Sequence, residues 1–319
     1  MIFQIVTFIV SVFALAWLSS RLVSTLVGIA KQLHWREFII AFFVMAFAAS
    51  LPNLFVDINA ALSGMPEVAF GDIVGGNLVD LTLVLAIAVL FGSKALPAES
   101  EMVQKSAIFT SIIAVLPILL VWDSKLDRID GIILLLTFGL YTWWLFSKED
   151  RFKKTYRGRP QNPSKNIFAL IVNFVKIIIF LGLLLGCSYF IVNSARLFST
   201  QLGLSLSLVG ILIIGLGNCF PEIYFSIISA RKGENWLILG DLMGAVIVCA
   251  TLVLGIIALL FPFEIVDLSP FLITRIFTII AALIFLLFIR TGRKITKYEG
   301  LFFLLIYILF ILVQVFLPH

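Results

Sequence analysis

Long apolar runs are the feature that most limits what this chain can fold into. About ten stretches reach the roughly 17–25 residues that a helix needs to cross a hydrocarbon core of about 30 Å. Hydrophobic residues make up 61% of the 319 residues and charged residues only 13%, so a water-soluble fold could not bury the apolar surface. A membrane helix satisfies its own backbone hydrogen bonds, whereas a transmembrane β-barrel requires short alternating segments. We therefore expect an all-α membrane protein.

Hydropathy and charge together predict the membrane topology. The basic connector 148–166 is expected to be cytoplasmic under the positive-inside rule, and an even number of spans then places both termini outside. Short loops without a regulatory insert favour a prokaryotic plasma membrane. The net charge of +5 lies mainly in loops, so it is interpreted as a topology signal and not as a nucleic-acid-binding surface. The predicted spans are 2–27, 37–63, 68–92, 104–122, 129–147, 167–193, 205–230, 236–261, 270–290 and 298–317.

An internal repeat divides the chain into two halves. A single gapless offset aligns Pro52 with Pro221, and it aligns glycine, aspartate and threonine positions as well; we call this alignment the repeat register. Each half contains about five spans, an odd number, so the second half enters the membrane from the opposite side. The expected fold is thus two inverted-topology five-helix repeats, 1–147 and 167–319, joined by the linker 148–166. The repeated motifs cover about 46–90 and 215–259.

A proline near the middle of one span in each half predicts a break in the helix. Pro52 and Pro221 each remove a backbone donor and free the carbonyl four residues earlier, that of Ala48 or Gly217. A freed carbonyl within a membrane is expected to face protein, water or a cation. A simple proline kink, satisfied by a neighbouring group, is the alternative.

Two acidic residues lie deep in predicted spans. A carboxylate at the centre of a membrane helix costs several kcal/mol, which favours a functional role for Glu222 and Asp80. Asp57 lies one turn beyond Asn53 on the same helical face and either joins the site or lines its vestibule. For Asp72 and Asp241, near the starts of their predicted spans, helix capping and a place in an ion pathway are both open.

The donor types at these positions indicate the class of ion. Carboxylates, amides, hydroxyls and free carbonyls are hard oxygen ligands that suit Ca²⁺, Na⁺ or Mg²⁺. Both histidines lie outside the predicted spans, so an imidazole site is not expected. Cys219 and Cys249 fall at site positions and could shift the preference towards a transition metal. No bound cofactor is expected.

These motifs resemble those of the sodium/calcium exchanger family, which belongs to the calcium/cation antiporter superfamily. The family carries a Ser-Leu-Pro-Glu-like motif on one helix and a Gly-(Asn/Asp)-x-x-Gly-Ser-Asn-x-x-(Asn/Asp) motif on the next. The matching segments are Ser50-Leu51-Pro52-Asn53, Cys219-Phe220-Pro221-Glu222, Gly71-Asp72-x-x-Gly75-Gly76-Asn77-x-x-Asp80 and Gly240-Asp241-x-x-Gly244-Ala245-Val246-x-x-Cys249. The resemblance implies ten spans in two inverted halves and cation antiport.

The resemblance also implies a set of ion ligands, from which this chain departs. The family's two Ca²⁺-binding glutamates fall at Asn53 and Glu222, and its flanking site residues fall at Asp80 and Cys249. By this comparison the core carries two carboxylates where three are usual. The remaining implied positions are Ser50, Asn218 and Cys219, with the backbone carbonyls of Ala46 and Gly215 at a Na⁺ site.

The expected function is a secondary antiporter that exchanges Ca²⁺, or a related cation, for Na⁺ or H⁺. Its partners would be inorganic cations and the lipid bilayer, without nucleic acid, and the sequence leaves the oligomeric state open. Alternatives are a non-transporting or sensory protein on the same fold, an exchanger of Mg²⁺, Mn²⁺, K⁺ or Na⁺/H⁺, and a channel. An intramembrane aspartyl protease would need a second acid facing Asp241, so an enzyme is not expected. The spans 2–27 and 167–193 are the predicted moving pair.

Overall fold

The computed structural model describes residues 2–32, 46–92, 95–147, 163–233, 235–265 and 268–316. Within these ranges, nine helices are long and apolar enough to cross a membrane. A tenth apolar helix, Phe47–Leu62, is shorter, and the predicted span 37–63 begins outside the described residues. The prediction of an all-α membrane fold is confirmed.

The first half contains the helices of five predicted spans, and a π-helical segment interrupts the third of them. The elements are α1 Ile2–Gln32, α2 Ala46–Leu62, α3 Pro66–Val79, the first π segment Asp80–Val84, α4 Leu85–Phe91, β1 Leu96–Pro97, α5 Glu101–Leu120, the 3₁₀ turn Val121–Asp123, β2 Lys125–Leu126 and α6 Arg128–Ser147.

The second half repeats this order over the described residues; the counterparts of 206–214 lie outside them. The predicted span 205–230 is divided into short helices and a π segment. The elements are α7 Pro163–Leu202, α8 Leu206–Leu208, the second π segment Val209–Ile214, α9 Gly215–Asn218, α10 Phe220–Lys232, α11 Asn235–Ile247, the third π segment Val248–Val253, α12 Leu254–Leu260, β3 Phe263–Glu264, α13 Ser269–Gly292, β4 Lys294–Ile295 and α14 Lys297–Phe316.

The helices of the two halves pack as a two-fold pseudosymmetric structure. The repeat register that aligns the sequences also places α4 on α12, α5 on α13 and α6 on α14. Two helices pack directly against their own counterparts, α1 against α7 and α5 against α13. The pairs α4–α14 and α6–α12 are exchanged by the same symmetry. The predicted two-repeat architecture is therefore confirmed.

Two short antiparallel ribbons join loops of opposite halves. In one ribbon β1 pairs with β4, and in the other β2 pairs with β3. The β1 and β4 loops are both predicted to be cytoplasmic, and the β2 and β3 loops are both predicted to be outside. The pairing agrees with this grouping of loops by membrane side, while the identity of each side stays a prediction. The second ribbon includes an exposed ion pair between Lys125 and Glu264 at 2.7 Å. The hydrogen bond between the two side chains raises the pKa of Lys125.

The helices differ in how much of their surface faces the lipid. The two segments α3–α4 and α11–α12, each with its π segment, are buried among the other helices. In contrast, α1 and α7 are mostly exposed and pack on each other at one side of the bundle. With 40 residues, α7 is about 60 Å long, longer than a membrane is thick. The candidate site lies among the buried helices.

Candidate ion-binding site

The two prolines have different effects on their helices. The helix α2 continues through Pro52, so the predicted break in the first half is absent from the described helix. In the second half the chain leaves the helical conformation at Cys219, and Pro221 lies in the first turn of α10. Alanines precede Pro52 at the positions where Gly217 and Asn218 precede Pro221. Alanine favours continuing a helix, whereas glycine weakens it and proline is favourable at a helix start.

Two of the π segments lie at equivalent positions beside the site. Asp80 is the first residue of the first π segment, and Cys249, its counterpart, lies at the start of the third. The hydroxyl of Thr82 donates to the carbonyl of Leu78, and Thr251 makes the equivalent bond to Ile247. Segments of this kind are rare and occur frequently at functional sites. The hydropathy pattern gave no indication of them, although the matched threonines mark both positions.

Glycines bring the backbones of the two halves into contact. A Cβ atom on Gly75 would lie 2.5 Å from the carbonyl oxygen of Ile211, and one on Gly210 would lie 2.6 Å from that of Val68. Only residues without a side chain allow helices to approach so closely. The contact at Gly75 sets α3 against the second π segment.

Five acidic side chains are buried in the interior of the bundle. Each is at most 5% exposed, and no lysine, arginine or histidine among the described residues is buried with them. The family comparison counted two core carboxylates, Glu222 and Asp80, and both are among the five. It counted only positions where the family usually has ligands, whereas acids one or two turns away also point inward. The five are Asp57, Asp72, Asp80, Glu222 and Asp241.

Three site residues without charge lie together at the centre of the bundle. The amide Nδ2 of Asn53 donates to the sulfur of Cys249 at 3.4 Å. The hydroxyl of Ser50 lies within hydrogen-bonding range of the same sulfur. We call Ser50, Asn53 and Cys249 the neutral triad.

The positions that the repeat register aligns with the neutral triad hold two acids and a cysteine. Glu222 and Asp80 lie close enough for their charges to interact, and Asp80 is within hydrogen-bonding range of Cys219. The thiol of Cys219 also lies 3.6 Å from the carbonyl oxygen of Gly76. We call Cys219, Glu222 and Asp80 the acidic triad. Each triad combines residues of both halves. The acid Glu222 of the second half is close to the acid Asp80 of the first, and the uncharged Asn53 of the first half contacts the uncharged Cys249 of the second.

Asp72 and Asp241 are not helix caps. Each is the seventh residue of its helix, α3 or α11, and each side chain is buried. The residue at the N-cap of α3 is Met65, whose side chain makes no capping hydrogen bond. The capping alternative is therefore wrong, because both helices begin earlier than the motif suggests. Asp72 instead accepts a hydrogen bond from the amide of Asn218.

The remaining candidate positions lie at helix starts. Gly215 is the first residue of α9, and its carbonyl oxygen lies near Gly76 of α3. Ala46 begins the described part of α2. Within the described ranges, no three His, Cys, Asp or Glu side chains are grouped as a metal site. A cation bound here would need amide, hydroxyl or carbonyl oxygens in addition to the carboxylates, which are donors that Ca²⁺ and Na⁺ accept.

Comparison with known proteins identifies the family. A family profile described as "Sodium/calcium exchanger protein" matches residues 3–147 and 172–316, which together contain nearly all of both repeats. The chain belongs to the sodium/calcium exchanger family. Each matched range contains one copy of the repeated motif, so the resemblance inferred from the motifs is confirmed for both halves.

Two prokaryotic proteins illustrate how far the similarity extends along the chain. The sodium/calcium exchanger MaX1 of Methanosarcina acetivorans is 24% identical, and the alignment covers 97% of this chain and 98% of that protein. The inner membrane protein YrbG of Escherichia coli is 26% identical over 81% of this chain and 80% of its own length. Both alignments extend over most of each chain, and the name of the first protein is that of an exchanger, which is consistent with a transporter.

A solved exchanger has the same fold. The structure of the sodium-calcium exchanger NCX_Mj soaked with 10 mM Na⁺ and 10 mM Sr²⁺ superimposes with a TM-score of 0.69 at 21% identity, and the match covers 99% of each chain. At this identity the comparison establishes the fold, while the roles of individual site residues depend on the contacts described above.

Proposed function

We propose that this exchanger moves Ca²⁺, or a closely related divalent cation, in exchange for Na⁺ or H⁺ by alternating access. The observation that carries the proposal is the burial of five carboxyl groups without a buried lysine, arginine or histidine among the described residues. Uncompensated negative charge in a membrane interior is very unfavourable. Mobile cations are the natural source of the missing positive charge.

The acidic triad is the proposed principal binding centre. Glu222 and Asp80 together carry two negative charges, which one divalent cation neutralises, and both groups are oxygen donors of the kind that Ca²⁺ prefers. One oxygen of each carboxyl group is buried without a hydrogen-bond partner within the described structure. The neutral triad would complete the coordination through Asn53 and Ser50. A soft metal is less favoured, because the thiols of Cys219 and Cys249 already contact a carbonyl oxygen and an amide.

Alternating access is supported by the inverted repeats and by the position of α1 and α7. These helices pack on each other at the periphery of the bundle, so they are the proposed moving group. One contact that would have to change is the hydrogen bond from Asn59 of α2 to Ser188 of α7. A second joins Arg196 of α7 to the carbonyl oxygen of Ser63 at 2.7 Å.

Flux in proteoliposomes tests the proposed function directly. Purified protein is reconstituted, and uptake of Ca²⁺, Mg²⁺, Mn²⁺, Na⁺ and K⁺ is followed one ion at a time under an imposed Na⁺ or H⁺ gradient. We expect gradient-dependent Ca²⁺ uptake above that of protein-free liposomes. Absence of gradient-driven flux for every ion would refute the antiporter. Cation binding without flux would instead support the non-transporting, sensory alternative.

The neutral triad gives a gain-of-function prediction. In Asn53→Glu an acid replaces the amide that contacts Cys249, so the site gains a third carboxylate in addition to those of Glu222 and Asp80. Because the number of charged ligands tunes Ca²⁺ affinity, we expect the affinity to rise by about tenfold. Equilibrium ⁴⁵Ca²⁺ binding measures it. Asn53→Gln, which keeps the amide, is the matched control. Equal affinities for the two variants would contradict the interpretation that Asn53 leaves the site one carboxylate short of the usual three.

A further inference from the structure

A second pair of acids lies apart from the acidic triad. Asp57 of α2 and Asp72 of α3 are 0% and 2% exposed, and their carboxyl groups lie within hydrogen-bonding range of each other. Asn218 of α9 donates to Asp72 from the opposite half. We call Asp57, Asp72 and Asn218 the second acidic cluster.

Three buried oxygen atoms of this cluster lack a hydrogen-bond partner among the described residues. Neither oxygen of Asp57 has a hydrogen-bond donor within the described structure, and the amide oxygen of Asn218 is likewise buried without one. Asn218 is itself only 1% exposed. A buried acceptor without a partner is destabilising, and two facing carboxylates repel each other as well. Two elements, α2 and α9, thus carry unsatisfied oxygen atoms beside the buried carboxyl group of Asp72 on α3.

We propose that the second acidic cluster is a second cation-binding centre that takes a hard divalent cation such as Ca²⁺. Two carboxylates and an uncharged amide oxygen supply two negative charges, which one divalent cation neutralises and one monovalent cation does not. The inference rests on the proposed function, because it adds a centre to the same ion pathway. It also explains how a chain without an acid at Asn53 keeps its binding charge: Asp57 supplies a carboxylate one turn further along the same helix.

The centre exists in only one of the two pseudosymmetric positions. The repeat register places Ser226 opposite Asp57, Asp241 opposite Asp72, and Ala49 opposite Asn218. The counterpart therefore has one acid where the second acidic cluster has two. Asp57 lies in the last two turns of α2, and Asp72 is the seventh residue of α3. Both lie about 8–10 Å from the turn that joins these helices, a turn predicted to be on the outside. The second centre is thus the one nearer to that membrane face.

Counting bound ions tests the proposal. Equilibrium ⁴⁵Ca²⁺ binding to the purified full chain in detergent should give about two ions per molecule for the wild type. Asp57→Asn keeps the size of the side chain and removes its charge, so it should reduce the number to about one, and Asp72→Asn should do the same. Thermal unfolding of each variant establishes that it is folded.

Ser226→Ala is the matched control, because Ser226 lies at the pseudosymmetric position and is equally buried. It should bind as many ions as the wild type. Unchanged stoichiometry and affinity in folded Asp57→Asn would overturn the second centre, and the pair would then share a proton instead. That outcome leaves the proposed function intact if the wild type still exchanges Ca²⁺. A wild type that binds no Ca²⁺ would refute the proposed function itself.

Discussion

Replacing Glu222 by glutamine is expected to abolish cation exchange without unfolding the protein. The change preserves shape but removes one of the two charges of the acidic triad, so a divalent cation would leave the site with a net positive charge in a membrane interior. Proteoliposome uptake should fall to that of protein-free vesicles. Asp80→Asn removes the other charge of the triad and should weaken uptake severely for the same reason.

Stability should respond in the opposite direction from transport. In the cation-free protein Glu222 and Asp80 repel each other, and one Glu222 oxygen lacks a hydrogen-bond partner within the described structure. Removing one charge relieves that repulsion, so the unfolding temperature of Glu222→Gln without Ca²⁺ should equal or exceed that of the wild type.

Glu264→Gln is the control for this prediction. It makes the same chemical change at an exposed ion pair with Lys125, where solvent screens the interaction, and it should alter neither uptake nor stability appreciably. Near-normal uptake by both Glu222→Gln and Asp80→Asn would show that the acidic triad is not the transport site. A loss of uptake accompanied by unfolding would mean that Glu222 has a structural role.

The membrane fold could be predicted from the sequence because its causes are local or periodic. The length of an apolar run defines a membrane span. The matched prolines and glycines reveal the duplication, whereas matches between aliphatic residues could arise by chance. The repeat register predicted from the motifs aligns helix α4 residue by residue with helix α12. The grouping of loops by membrane side was also accessible, because basic residues concentrate in the loops that β1 and β4 join.

The contacts within the site could not be predicted in the same way. They join residues of different halves, such as Asn53 with Cys249, and depend on how the two repeats cross. The family comparison put Asp80 and Glu222 of different halves in one core, but it gave no contact between Asn53 and Cys249. Helix capping stayed open for Asp72 because its depth depends on where α3 begins, and Pro66 lies at that start. Motif comparison alone also hides Asp57, since it lies one turn outside the motif.

The asymmetry of charge within a symmetric backbone has a mechanistic consequence. Inverted repeats can exchange conformations only if both halves can adopt either backbone state, and the matched π segments and glycines supply that equivalence. The side chains need not be equivalent. The counterparts of the acidic triad and of the second acidic cluster carry fewer acids, so ions would meet different charge on the two sides of the membrane.

Introducing a methyl group at Gly75 is expected to have the largest effect on stability. In Gly75→Ala the new Cβ would lie 2.5 Å from the carbonyl oxygen of Ile211 and 2.8 Å from its Cα, both of which belong to the backbone. No rotamer change can relieve such a contact, so α3 and the second π segment must separate. Overpacking of this kind costs about 3 kcal/mol or more. The same separation would move Asn218 away from Asp72 and disrupt the site.

Gly139→Ala provides the comparison for this effect, since it makes the same substitution in α6 where a Cβ would have no neighbour within 4 Å. Alanine is favoured over glycine in a helix by about 1 kcal/mol, so this variant should unfold at the same temperature as the wild type or slightly higher. Thermal unfolding in detergent, followed by the loss of monodisperse protein, measures both variants. Equal unfolding temperatures for Gly75→Ala and Gly139→Ala would mean that the two halves do not touch through their backbones, and the arrangement of both acidic groups would then have to be revised.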